Sequence, residues 1–117
     1  MTSQYYQMMD AHPEEAEYLE KWATKIGISQ NVYGYYQLLA AIMLVWETPT
    51  LGVNRVTRVL YPAIAKMFDS RPSRVEKNIR HVLETNNFDM LGLNKLSNSK
   101  LITYMANKLR REVPNNG

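Results

Sequence analysis

Residues 38–46, "LLAAIMLVW", set the first constraint on this chain. They belong to a run, residues 32–47, that is apolar on nearly every side when wound as a helix. Such a helix must be covered all round by other elements. It is much shorter than the ~20 apolar residues needed to span a bilayer, so it predicts a buried helix and no membrane association. No segment alternates apolar and polar residues as a strand does. The cover is therefore helical, and the chain reads as an all-α domain of about six helices.

The remaining segments supply that cover. Residues 1–12 read as a flexible tail, with Tyr5, Tyr6, Met8 and Met9 available for packing. The domain proper is expected over residues 13–112, followed by a short tail, 113–117. Pro13 suits a first helical position, Glu14 and Glu15 suit the positive end of the dipole, and Gly27 suits a stop. Between them Leu19, Trp22, Ala23 and Ile26 recur at helical spacing. Asn31 is a candidate cap for the central helix, and Tyr33, Tyr35 and Tyr36 form an aromatic cluster assigned to packing. A short helix follows at 53–60, with Val56, Val59 and Leu60 inward and Arg55 and Arg58 outward. Pro62 breaks it or begins the next, residues 62–68, which buries Ile64, Ala65 and Phe68. A last helix is expected at about 99–112, with Leu101, Ile102, Met105 and Leu109 as its apolar stripe.

Charge is divided unevenly along the chain. Residues 1–47 hold two cations and six anions, net −4; residues 48–117 hold twelve and five, net +7. A basic half of this kind suits a polyanionic partner. The chain has no cysteine, which excludes a disulfide scaffold and thiolate metal sites and suits a reducing cytosol. His12 and His81 are too far apart in sequence to suggest a metal site, and no cofactor is expected.

The basic residues concentrate around "SRPSRVEKNIRHVLE", residues 70–84. At about 100° per residue, Val75, Ile79, Val82 and Leu83 share one helix face, and Ser73, Arg74, Lys77, Arg80, His81 and Glu84 share the other. Ser73 and Glu76 have capping-box spacing, and Pro72 fits the first turn. A short helix, the tight turn "DSRP" and an amphipathic basic helix form a helix-turn-helix pattern. In that motif the second helix enters the major groove of duplex DNA. Arg74, Lys77, Arg80 and His81, with Glu76 as an acceptor for cytosine N4, are the candidate base readers. Arg55, Arg58, Lys66, Ser70, Arg71 and Ser73 are the candidate phosphate contacts. A merely solvated surface would mix its charges. From 55 to 80 there are seven cations against two anions, which favours DNA binding.

"RVLYPAIAKMFDSRPSRVEKNIRHVLE", residues 58–84, resembles the C-terminal effector domain of stage-zero sporulation protein A, the response regulator that commits endospore-forming bacteria to sporulation. "LYP-IAK-F" and "SRVE--IRH" carry the resemblance; the upstream "IGI" and Gly34-Tyr35 and the closing "MANKLR" fit in the same order, so that it covers roughly residues 22–111. The resemblance implies a six-helix domain that binds TGTCGAA-type boxes, often as tandem pairs, and regulates transcription. It places Glu76, Lys77, Arg80 and His81 on the recognition helix and Ser73 and Arg74 at its start. Lys77 stands where an arginine is expected, which turns a bidentate guanine contact into a single-point one. No phosphorylatable receiver precedes the domain in these 117 residues, so control by aspartyl phosphate is not expected to be intrinsic. The loop "NNFDMLGLNKLS" looks shortened in a neighbourhood that helps contact the RNA polymerase sigma factor, which favours repression or competition for boxes; activation through residues 88–93 stays open.

The expected function is thus a cytoplasmic, nucleoid-associated DNA-binding regulator, alone or as a dimer on DNA. The alternative is an interaction protein that sequesters another regulator's effector domain. An enzyme is not expected, because no nucleophile elbow, phosphate-cradling glycine loop or metal-ligand spacing occurs.

Overall fold

A computed structural model of the chain describes residues 3–52, 55–86 and 97–114. Among the described residues the protein is all-α, with six α-helices and no strand: α1 (Ser3–Ala11), α2 (Pro13–Ile26), α3 (Tyr33–Glu47), α4 (Tyr61–Met67), α5 (Pro72–Thr85) and α6 (Asn98–Glu112). A 3-10 turn at Pro49–Leu51 and a widened turn at Val56–Leu60 link α3 to α4. None of these helices is long and apolar enough to cross a membrane. The loop assigned to sigma-factor contact, 88–93, lies outside the described residues.

Helix α3 is the axis of the core, as its composition requires. Leu38, Leu39, Ala40, Ala41, Ile42 and Met43 are completely buried, and α5 and α6 pack against it. Its neighbours bury one stripe each: Leu19, Trp22 and Ala23 from α2, Val75, Ile79 and Val82 from α5, and Leu101, Ile102, Met105 and Leu109 from α6. Polar groups fix its C-terminal end. Arg110 Nη2 donates to the Trp46 carbonyl (2.9 Å), and His12 Nε2 lies 3.2 Å from Glu47 Oε1. The first of these places a cation on a carbonyl that its own helix leaves unsatisfied.

The structure corrects several local expectations. Residues 3–11 are a helix where a flexible tail is expected, because Tyr5 and Met9, four apart, are both buried against the rest of the chain. The residue flanking α3 is Val32, with extended backbone and no side-chain cap, so Asn31 does not cap it. Of the tyrosine cluster, Tyr35 is buried and Tyr36 partly so, but Tyr33 is 62% exposed at the helix start. Val59 faces outward: the turn before α4 closes from the Tyr61 N–H to the Val56 carbonyl, and that wider spacing keeps Val56 and Leu60 inside while rotating Val59 away. Pro62 explains the widening, since its ring crowds the carbonyl four residues back and it has no N–H to offer. Phe68 is only partly buried, because it sits at the mouth of the turn rather than on the inner face of α4. Helix α6 begins at Asn98, capped by the Ser97 hydroxyl, which accepts from the Lys100 N–H (3.3 Å).

Candidate nucleic-acid interface

Helices α4 and α5 pack together and are joined by residues 68–71. The turn is built by backbone hydrogen bonds. The Ser70 N–H donates to the Ala65 carbonyl (2.8 Å) and the Asp69 N–H to the Lys66 carbonyl (3.4 Å). This is a Schellman stop, which needs a left-handed residue just past the helix. Asp69 supplies it at φ 53°, the one positive φ on a non-glycine among the described residues. Aspartate tolerates that conformation better than most side chains. Arg71 is then extended, and α5 starts at Pro72. The expected capping box of Ser73 and Glu76 does not form, since the helix has already begun before Ser73 and the cap position belongs to Arg71.

The inner face of α5 is anchored by Val75, Ile79 and Val82. Where α5 meets α3 the approach is so close that a Cβ built on Gly34 would lie 2.5 Å from Val82 Cγ2 and 2.6 Å from the Asn78 carbonyl oxygen. Two polar clamps fix the rotation and slide of the helix. Asn78 Nδ2 donates to Oε1 of buried Gln37 on α3 (3.0 Å). Asn98 Nδ2, buried at the start of α6, donates to the Glu76 carbonyl (3.0 Å) and to the Tyr61 hydroxyl (3.1 Å), tying α4, α5 and α6 at one point. Burial pushes the Tyr61 hydroxyl above its ordinary pKa; the hydrogen bond from Asn98 works against this, Glu76 with it and Arg80 against it.

The outer face is exposed. Arg74, Lys77, Arg80 and His81 all project to solvent, as do Ser73 and Glu84. Arg80 is not idle: its Nη1 lies 3.4 Å from Glu76 Oε1 and its Nε 3.6 Å from Glu84 Oε1. Exposed i,i+4 pairs of this kind contribute about 0.3–0.5 kcal/mol each, whereas a good bidentate contact to a base is worth about 1–3 kcal/mol. Arg80 can therefore leave its own helix for a stronger acceptor at small cost. Glu76 is half-exposed and engaged with Arg80, so its carboxylate is released when Arg80 turns away. Among the described residues, no ion pair is formed by Arg55, Arg58, Lys66, Arg71, Arg74 or Lys77. Lys66 stands in the last turn of α4, Ser70 and Arg71 in the connecting turn, and Arg58 in the widened turn that runs into α4. Arg55 precedes that turn, with its N–H on the Gly52 carbonyl (3.3 Å). All are exposed except Ser70, which is half-buried.

A family model described as "Sporulation initiation factor Spo0A C terminal" matches residues 19–112. The chain belongs to the Spo0A C-terminal family. That is a family of DNA-binding sporulation effector domains, not a class of enzymes. The matched Spo0A segment runs from the middle of α2 to the end of α6 and includes the whole helix-turn-helix; α1 lies outside it.

Within this Spo0A-type domain, sequence reasoning missed the clamps Asn78–Gln37 and Asn98–Tyr61. One signal was available. Gln37 is a lone polar residue inside an apolar helix, and a buried amide requires a partner.

Proposed function

We propose that this protein is a sequence-specific regulator that reads promoter boxes with the outer face of α5. One observation carries the reading: Arg74, Lys77, Arg80 and His81 project from a helix whose opposite face is locked into the core, directly behind a short helix and a four-residue turn. The major groove, about 12 Å wide, accepts one helix. Lys77 and Arg80 then meet guanine acceptors, Glu76 the cytosine amino group, and Arg74 and His81 the flanking base edges. Ser70, Arg71 and Ser73, at the positive end of the α5 dipole, meet phosphate, and Arg55, Arg58 and Lys66 add sequence-independent attraction.

Membership of the Spo0A C-terminal family supports TGTCGAA-type boxes as the target and two copies on tandem boxes as the bound form. A domain that reads those boxes competes with every other regulator that does, so occupancy alone represses. Lys77 offers a point charge rather than a planar fork, and so relaxes the preference at one base pair. The site of action on this reading is the nucleoid.

The test is fluorescence anisotropy of the protein on a TGTCGAA duplex and on a scrambled duplex across a salt series. Box binding at least ~10³-fold tighter than scrambled at physiological salt is expected of a specific reader. Equal affinity for both duplexes would refute sequence reading while leaving electrostatic binding. No binding to either at low salt would refute the DNA reading altogether.

A further inference from the structure

Helix α1 lies before the matched family segment, yet it reaches the helix-turn-helix. Tyr5 is buried, and its ring centroid lies 5.8 Å from that of Phe68, the residue that ends α4 and opens the turn. The same ring meets Tyr36 on α3 edge-to-face, with centroids 5.4 Å apart. Tyr5 thus wedges between the central helix and the turn. At its other end α1 is held by His12, whose ring lies 4.9 Å from Trp46. A nine-residue helix is marginal in water on its own, so α1 exists because it is docked. What it docks on is a strained place. Asp69, the next residue after Phe68, holds a left-handed conformation that its surroundings must maintain, and Ser70 then leads into Arg71 and α5.

We propose that α1 is a brace on the helix-turn-helix: Tyr5 positions Phe68, and through it the turn that sets where α5 begins. This rests on the reading of α5 as the DNA-contacting helix. Tyr5 is a positioning residue, since it is buried away from any groove. Docked α1 holds the turn in its binding geometry; undocked α1 frees Phe68 and lets the turn relax. An aromatic pair changes an equilibrium by up to about tenfold, and that is the size of effect expected on affinity.

The experiment uses the full chain as wild type, Tyr5→Leu, Tyr5→Phe, Phe68→Leu and the Tyr5→Leu/Phe68→Leu double variant. Two quantities are read: amide hydrogen exchange and anisotropy on the TGTCGAA duplex. The brace predicts that Tyr5→Leu speeds exchange at the Asp69 and Ser70 amides while the α6 amides from 101 to 109 keep their protection. Tyr5→Phe keeps the ring and is expected to match wild type. Box affinity falls in Tyr5→Leu and in Phe68→Leu, and the double variant falls no further than the worse single. Unchanged exchange at Ser70, uniform acceleration that includes α6, or additive losses would overturn the brace. A wild-type chain that binds no duplex would sink the DNA reading instead, and the exchange data would still decide whether Tyr5 holds the turn.

Discussion

Helices α3 and α5 are of similar length and pack against each other, but they divide the work of the molecule. Ten of the fifteen residues of α3 are buried, and only Tyr33 and Glu47, at its two ends, are exposed. Helix α5 fully buries only Val75, Ile79 and Val82 and presents Arg74, Lys77, Arg80 and His81 on its exposed face. Stability should therefore respond to changes all along α3 between its exposed ends, whereas in α5 it should respond only to the inner face. The outer face of α5 should change binding without changing the fold.

Substitutions in the two helices test that division. The largest loss is expected inside α3: Leu39→Ala or Ile42→Ala removes a fully buried side chain, and costs about 2–5 kcal/mol by denaturant titration. Next is the seam between the helices. Gly34→Ala forces a methyl against Val82 and the Asn78 backbone, and such overpacking costs about 1–3 kcal/mol; an unchanged midpoint would show that α3 and α5 are less tightly seated than described. Asn78→Ala leaves the buried Gln37 carbonyl oxygen without its donor, for a loss of about 1–3 kcal/mol. Smallest in stability is the outer face, where Lys77→Ala is expected to stay within about 0.5 kcal/mol of wild type.

The alkaline limb sharpens the contrast between buried and exposed groups. The Tyr61 hydroxyl is raised in the folded state, chiefly by burial. Its contribution is fully present below the unfolded tyrosine value of about 10 and is lost as pH rises above it through the folded value. Thermal midpoints measured from pH 9 upward should fall, and Tyr61→Phe should fall less steeply over the same window.

The division between α3 and α5 was legible because hydrophobic periodicity reports burial directly. An all-apolar run demands the centre, and a one-sided run demands a surface. The stop at Gly27 was legible for a similar reason. It ends α2 with a left-handed residue, its N–H on the Thr24 carbonyl (3.0 Å) and the Ile28 N–H on Ala23 (3.0 Å), and glycine announces that conformation. Asp69 makes the same stop after α4, but aspartate is common in many settings and announces nothing. The clamps stayed hidden because Asn78 and Gln37 are 41 positions apart and no local rule pairs them. Helix α1 stayed hidden because two buried residues in nine give too little periodicity to separate a docked helix from a tail. Among the candidate site residues, the pattern put Arg74, Lys77, Arg80 and His81 on one face. It did not foresee that Glu76 and Glu84 bracket Arg80.

The central claim is that the outer face of α5 reads DNA while the inner face holds the fold. It is tested most directly by box-duplex affinity and thermal midpoint measured side by side for wild type and Lys77→Ala/Arg80→Ala. Each lost base contact is worth about 1–3 kcal/mol, so box-selective affinity should fall by about a hundredfold or more while the midpoint stays near that of wild type. Retained box selectivity in the double variant, with the fold intact, would contradict the claim and move the reading surface elsewhere on the molecule.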